Sequence, residues 1–168
     1  MRFSARDTAL YALLISLALS LSFLESLVAP VLLPIPGIKL GLSNIVIMYT
    51  LYTLSFSSAA VVLFCKCILS SLFGGGIVAF AFSVSGGVLA LIIMYLLKKC
   101  SFFSVFGVSL GGAAAHSIGQ IAVSAVLFKT LSVIYYLPFL LFSSLFTGIL
   151  TAIIASILIS RINFMFKK

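Results

Sequence analysis

Residues 77–97 read Ile-Val-Ala-Phe-Ala-Phe-Ser-Val-Ser-Gly-Gly-Val-Leu-Ala-Leu-Ile-Ile-Met-Tyr-Leu-Leu, and Lys98-Lys99 follow at once. No charged side chain interrupts the run. At about 1.5 Å of rise per residue, a helix of this length covers roughly 30 Å, the thickness of a bilayer's hydrocarbon core. The stretch reads as a transmembrane helix closed by a basic doublet at the headgroup level.

Working outward, five more segments have the same character, at about 8–29, 39–55, 58–73, 104–128 and 136–160. The breaks between the six carry Pro, Gly, Ser or Lys: Pro30 to Gly37, Ser55 to Ser58, Gly74 to Gly76, Lys98-Lys99, and Lys129 to Tyr136. Only 7% of the 168 residues are charged and 64% are hydrophobic, with mean hydropathy +1.41. A soluble domain carries about 25% charged residues, so this chain has too few polar groups to cover a surface in water. The sequence predicts an all-α integral membrane protein, a single domain over 1–168 built as a bundle of six transmembrane helices. Arg2 and Arg6 before the first run imitate a signal peptide, but that run of about 20 residues exceeds the usual 7–15 and is read as a retained span.

Six spans put both termini on one side of the membrane. Arg2, Arg6, Lys98, Lys99, Arg161, Lys167 and Lys168 then share that side, opposite Lys39 and Lys129. The positive-inside rule makes the richer side cytoplasmic. The net charge of +8 is thereby a topology signal and a lipid contact rather than a sign of nucleic acid. Pro30, Pro34 and Pro36 are expected to end the first helix and to form an apolar connection over the outer end of the bundle. Cys65 and Cys67, two apart on one helix, point away from each other and read as apolar fillers.

Small residues four apart let helices approach closely in lipid. Such stripes occur at Thr8, Ala12, Ser16 and Ser20 with Ala5 and Ala9 beside them. Others run through Ala79, Ser83 and Gly87, and through Ser144, Gly148, Ala152, Ser156 and Ser160. They are expected to serve mainly for packing inside the bundle, with the first and last spans the places where a partner would dock.

Within this hydrocarbon, Glu25, Lys66 and His116 are the ionisable side chains set well inside the spans. An ionised group at bilayer depth costs roughly 2.5–3.5 kcal/mol on insertion scales, so it faces a bundle interior or a cavity. Gly112, His116, Gly119 and Gln120 share one face of the fifth span. Lys66 and Ser70 share a face of the third, and Asn44 lies near the outer end of the second. Two readings of Lys66 and Glu25 stand together: contacts to a ligand, or mutual neutralisation. The set does not make an enzyme. Paired carboxylates for Mg²⁺ or acid–base work do not exist with one Asp and one Glu, and no Ser-His-Asp set or metal-ligand spacing is present.

Several motifs carry a resemblance. Ile35-Pro-Gly-Ile-Lys-Leu-Gly-Leu-Ser-Asn-Ile45, Ser85-Gly-Gly87, Gly112-Ala-Ala-Ala-His116 with Gly119-Gln120, and Tyr135-Tyr-Leu-Pro138 with Thr147-Gly148 follow one another in this order. They resemble the bacterial membrane family labelled heptaprenyl diphosphate synthase component I, also called the Gx transporter family. That family is similar in size and six-span layout to the substrate-binding S components of energy-coupling factor (ECF) transporters. The resemblance implies a pocket opening outward and capped by the connection between spans 1 and 2, with Ala5 and Ala9 docking an energising membrane subunit that works with ATPases. The sequence departs from the family pattern at Ser117 and Lys66, where Asn and Arg are usual, and Lys lacks the two-pronged grip of Arg.

The expected function is capture of a small, anionic substrate, with contacts from Glu25, Gly37, Lys39, Gly41, Asn44, Lys66, His116 and Gln120, and no cofactor or metal. The alternative is a non-catalytic accessory subunit of isoprenoid metabolism beside a soluble prenyl synthase subunit, or of a membrane redox system.

Overall fold

The computed structural model describes residues 4–32 and 41–166. Among these, every regular element is helical: α1 (Ala5–Leu32), α2 (Asn44–Thr53), α3 (Phe56–Ser70), a π-helical turn (Ser71–Gly75), α4 (Gly76–Lys99), α5 (Val105–Phe128), a 3-10 turn (Leu131–Tyr136) and α6 (Leu137–Phe166). Five stretches are long and apolar enough to cross a membrane. They fall in the first, third, fourth, fifth and sixth of the predicted spans.

The second span differs. The sequence predicts a helix over 39–55, whereas α2 has ten residues and rises only about 15 Å. Residues 39 and 40 lie outside the described residues. A helix this short is stable at such depth because it is enclosed by protein: it packs against α1, α3, α4 and α6, and Asn44 to Met48, Thr50 and Leu51 are buried. Its polar ends therefore meet side chains rather than lipid.

Two hydrogen bonds fix the course of the chain around it. Tyr11 Oη lies 2.7 Å from Ser58 Oγ, and Ser22 Oγ lies 3.4 Å from Ser70 Oγ. A constant offset between α1 and α3 means that the two run parallel. Glu25 of α1 meets Gly41 and Leu42 before α2, while Lys98 near the end of α4 donates to Leu51 O at 2.7 Å. Helix α2 thus runs against α1 and α3, from the depth of Glu25 to the end of the bundle that carries Lys98.

The first helix also corrects an expectation. It continues two residues past Pro30 to Leu32. Proline removes one backbone donor and costs one ladder bond, and only a short last stretch of helix remains beyond it. The expected glycine break at 74–76 is realised at one residue. The π turn carries the third helix to Gly75, and Gly76, at φ +64°, reverses the chain into α4. Such a φ is open to glycine without the clash that a Cβ brings.

Small residues set the closest helix contacts. A Cβ on Gly119 would come 2.6 Å from Ser85 O, and one on Gly87 would come 2.5 Å from Leu63 Cδ1. The stripe of α6 is buried from Ser144 to Ala152, and Ser109 Oγ donates to Gly148 O across α5 and α6 at 2.7 Å. The stripe of α1 behaves differently from the packing expectation. Ala5, Ala9, Ala12, Ser16 and Ser20 are exposed, whereas Leu14, Ala18, Ser22 and Glu25 form the inward face. The rest of the surface is apolar all round, with Leu13, Phe23, Ile77, Val126 and Phe146 exposed. That is the surface a chain presents to lipid.

Candidate functional site

The turn Gly41-Leu42-Ser43 at the start of α2 gathers the polar side chains of the other helices. From α1, the Glu25 carboxylate accepts hydrogen bonds from the N–H groups of Gly41 and, at 3.4 Å, Leu42. From α3, the Lys66 ammonium donates to Ser43 Oγ at 2.8 Å. From α5, the His116 ring lies against Gly41, where a Cβ would stand 3.3 Å from Cδ2. Gly41 has φ +90°, so both its backbone and this ring contact call for glycine. Behind the ring, Gly86 of α4 leaves the space: a Cβ there would be 2.9 Å from Cε1 and Nδ1. Gln120 Nε2 lies 2.8 Å from His116 Nε2, one helical turn along α5.

All of these groups are buried. Lys66 is 1% exposed, His116 2%, Asn44 5%, and Glu25 and Gln120 0%. Helix register places Lys66 and Gln120 near one level, with His116 about one turn further from the Phe128 end. Gly87 faces Leu63 and Gly86 faces Gly119, so Ser83 of α4 lies level with Cys67 of α3 and with Ala122 of α5. This layer is about 10 Å from the ends of the helices that carry Leu32, Gly76 and Phe128, at 1.5 Å per residue.

The electrostatics of Lys66 are unusual. Its neighbour Ser43 is the N-cap residue of α2, yet the serine side chain makes no capping bond to the helix. The ammonium therefore sits at the positive end of a helix dipole, where a cation is disfavoured and an anion is stabilised. Among the described residues, the hydrogen bonds of Lys66 and Glu25 run to different parts of the turn, Ser43 Oγ and the N–H groups of Gly41 and Leu42.

Of the expected site residues, Glu25, Gly41, Asn44, Lys66, His116 and Gln120 converge on this turn. Gly37 and Lys39, with the whole expected cap over 33–40, lie outside the described residues. Ala5 and Ala9 are exposed, far along α1 from Glu25. Four further residues lie outside the expected set. Gly86 shapes the histidine pocket, Ser43 receives the lysine, and Ser83 and Ser124 are buried at 1% and 0% exposure with hydroxyls that meet no partner among the described residues. Asn44 Oδ1 shares that condition. A buried polar atom left unpaired costs about 1–3 kcal/mol. The signal for Ser124 was present in the sequence, because it continues the four-residue step from His116 through Gln120. Ser83 was read only as a small packing residue.

Among the described residues, no group of three His, Cys, Asp or Glu comes together to hold a metal. Cys65, Cys67 and Cys100 are free thiols.

Fold and site together describe a helical protein of multi-pass membrane type with a polar centre enclosed in its bundle. The chain belongs to the heptaprenyl diphosphate synthase component I family, whose model matches residues 14–158. No curated protein matches the chain. No solved structure matches it either.

Proposed function

We propose that this chain is the substrate-capturing subunit of a transport system in a bacterial cytoplasmic membrane, built like an S component, and that its substrate is a small anion. The carrying observation is Lys66: a buried ammonium at the positive end of α2, with one serine hydroxyl as its hydrogen-bond partner among the described residues. Burial of a charge is expensive unless an opposite charge or several hydrogen bonds compensate it. An anion seated beside Lys66 and Ser43 would supply that compensation and would lie where a helix N-terminus also attracts it. A short helix whose N-terminus ends inside a membrane bundle is the kind of element that holds anionic groups in transporters.

In this reading the chain passes the bilayer six times, with α2 as the return between α1 and α3. The end carrying Lys98, Lys99 and Arg161 faces the cytoplasm, and the layer around Gly41 is reached from outside. His116, Gln120 and Asn44 supply further contacts, and Glu25 holds the turn in place. Ala5, Ala9 and their exposed neighbours on α1 are the surface for an energising subunit, because small residues allow close helix approach.

The test is an inventory by mass spectrometry of small molecules retained by the purified protein. An anionic compound enriched with the wild type and lost from Lys66→Ala is the expected result. Equal retention by both would overturn the assignment.

The family description favours a second reading, an accessory membrane subunit beside a synthase component. One Asp and one Glu in the whole chain cannot form the carboxylate clusters that hold Mg²⁺ and diphosphate, so catalysis would rest with the soluble partner. This reading expects a prenyl synthase subunit to co-purify from the native membrane, with no dependence on Lys66.

A further inference from the structure

We infer that the ligand of this site carries, beside its anionic group, a neutral body rich in hydroxyls or amides, read by Ser83, Ser124 and Asn44, and not an apolar chain. The inference rests on the anion site just proposed and names the class of molecule that fits it.

Serine and threonine side chains inside helices ordinarily return a hydrogen bond to a carbonyl one turn back. Most of those in this bundle do so. Thr50 donates to Val46 O at 2.7 Å, Ser144 to Leu141 O at 2.7 Å, Ser143 to Leu140 O at 2.9 Å, and Ser20 to Ser16 O at 2.9 Å. Ser83 and Ser124 do not, although both are almost wholly buried. Hydroxyls that serve only to let helices approach would satisfy themselves in this way.

Their placement is as informative as their lack of partners. Ser83 shares a face of α4 with Gly87, which contacts Leu63 of α3. One turn further along both helices, Ser83 is level with Cys67, in the turn of α3 that carries Lys66. Ser124 stands two turns beyond His116 on α5, about 12 Å along the axis, with Gln120 between them. Asn44, the first residue of α2, has its Nδ2 at the Gly41 position that also meets the His116 ring. By this register, His116, Gln120, Ser83 and Ser124 follow one another towards the end of the bundle that carries Phe128. An anion with a hydroxylated or amide-bearing body matches such a series donor for acceptor. An anion with a hydrocarbon tail would bury these oxygens against methylenes and leave them unsatisfied.

The test uses the full chain in detergent, followed by thermal unfolding with four probes. Glucitol 6-phosphate and gluconate carry polar bodies on a phosphate and a carboxylate. Hexyl phosphate and hexanoate carry apolar bodies of similar length. At least one polar-bodied probe is expected to protect the wild type at a concentration tenfold or more below its apolar counterpart, and which one does so tells phosphate from carboxylate. In Ser83→Ala/Ser124→Ala that advantage shrinks towards parity, while the ligand-free unfolding temperature does not fall, because neither hydroxyl supports the fold. Three results would overturn the inference: equal or better protection by an apolar probe, an advantage that survives the double substitution, or a marked loss of ligand-free stability in it. Protection by inorganic phosphate without a polar-body advantage would sink this subsite and spare the anion site. Absence of protection by all of these anions would sink both.

Discussion

Lys66 Nζ and Ser43 Oγ lie 2.8 Å apart, so the residue placed to cap α2 is turned instead towards a buried ammonium. Each group gives up something: the helix loses a cap worth about 1 kcal/mol, and the lysine remains next to a like-signed dipole end. Lys66→Met removes the charge while keeping the length of the side chain. The ligand-free protein should then unfold about 2–4 °C higher for each kcal/mol recovered, while protection by an anionic ligand disappears. Lys66→Arg should keep that protection, since the charge and donor remain. A calorimetric scan of the three proteins in one detergent checks all of this. A Lys66→Met protein less stable than the wild type would mean that the ammonium supports the fold.

The glycines of the site should fall in a definite order. At Gly119 an added methyl meets the backbone of α4, with Ser85 O at 2.6 Å and Gly86 Cα at 2.9 Å, and backbone cannot step aside. At Gly86 it meets the His116 ring at 2.9 Å and the His116 carbonyl at 3.0 Å. At Gly112 it meets the end of the flexible Met94 side chain, with Cγ at 2.5 Å. Overpacking typically costs 1–3 kcal/mol. Gly119→Ala should therefore be the most damaging to thermal stability, Gly86→Ala intermediate and Gly112→Ala the mildest. Gly86→Ala should in addition weaken ligand protection, because it displaces His116.

Much of this bundle was legible in the chain because apolar length translates directly into helix length. The run at 77–97 falls within the helix Gly76–Lys99, and the run at 104–128 matches Val105–Phe128 to within one residue. The second predicted span is longer than α2 for a physical reason. Apolarity marks burial but does not say whether lipid or protein does the burying, and α2 is buried over most of its length by α1, α3, α4 and α6. The convergence of Glu25, Lys66 and His116 could be suspected from the cost of charge at depth. Their common partner, the turn at 41–43, could not, since Glu25 meets it through backbone N–H groups, which are the same in every sequence. The open face of α1 was hidden likewise, because stripes of small residues look alike whether or not a neighbour covers them.

Glu25 binds the turn through its carboxylate, accepting from Gly41 N–H and Leu42 N–H. Glu25→Gln retains an acceptor oxygen at that position, whereas Glu25→Ala leaves a buried N–H to find another partner. The alanine variant should lose about 1–3 kcal/mol and unfold at a clearly lower temperature, with the glutamine variant between it and the wild type. Equal losses in both would show that the negative charge, rather than the acceptor, holds the turn.

At the other end of α2, Lys98 Nζ donates to Leu51 O at 2.7 Å and lies 4.7 Å from the centre of the Tyr52 ring. A cation at a helix C-terminus satisfies a free carbonyl and complements the dipole. Lys98→Met should cost about 1 kcal/mol, from one hydrogen bond and one cation–π contact at an exposed position. Lys99, which lies over Tyr95 at 4.6 Å without a backbone partner among the described residues, serves as the comparison. Lys99→Met should cost less, and thermal unfolding of the two proteins gives the difference.

In the proposed six-pass arrangement, the side on which each end lies follows from the return of the chain between α1 and α3. Cys100 is an exposed free thiol directly after Lys98-Lys99, and Lys129, at φ +50° after α5, stands at the opposite end of that helix. In the six-pass arrangement Cys100 is cytoplasmic and position 129 is outside. A membrane-impermeant maleimide added to intact cells should leave Cys100 unmodified until the membrane is opened. In a Cys100→Ser background, Lys129→Cys should be labelled from outside. Labelling of Cys100 in sealed cells would reverse the orientation, and the buried lysine layer would then be the end approached from the cytoplasm. Labelling of neither site, before or after permeabilisation, is excluded for Cys100 by its exposure, so the experiment has a built-in positive control.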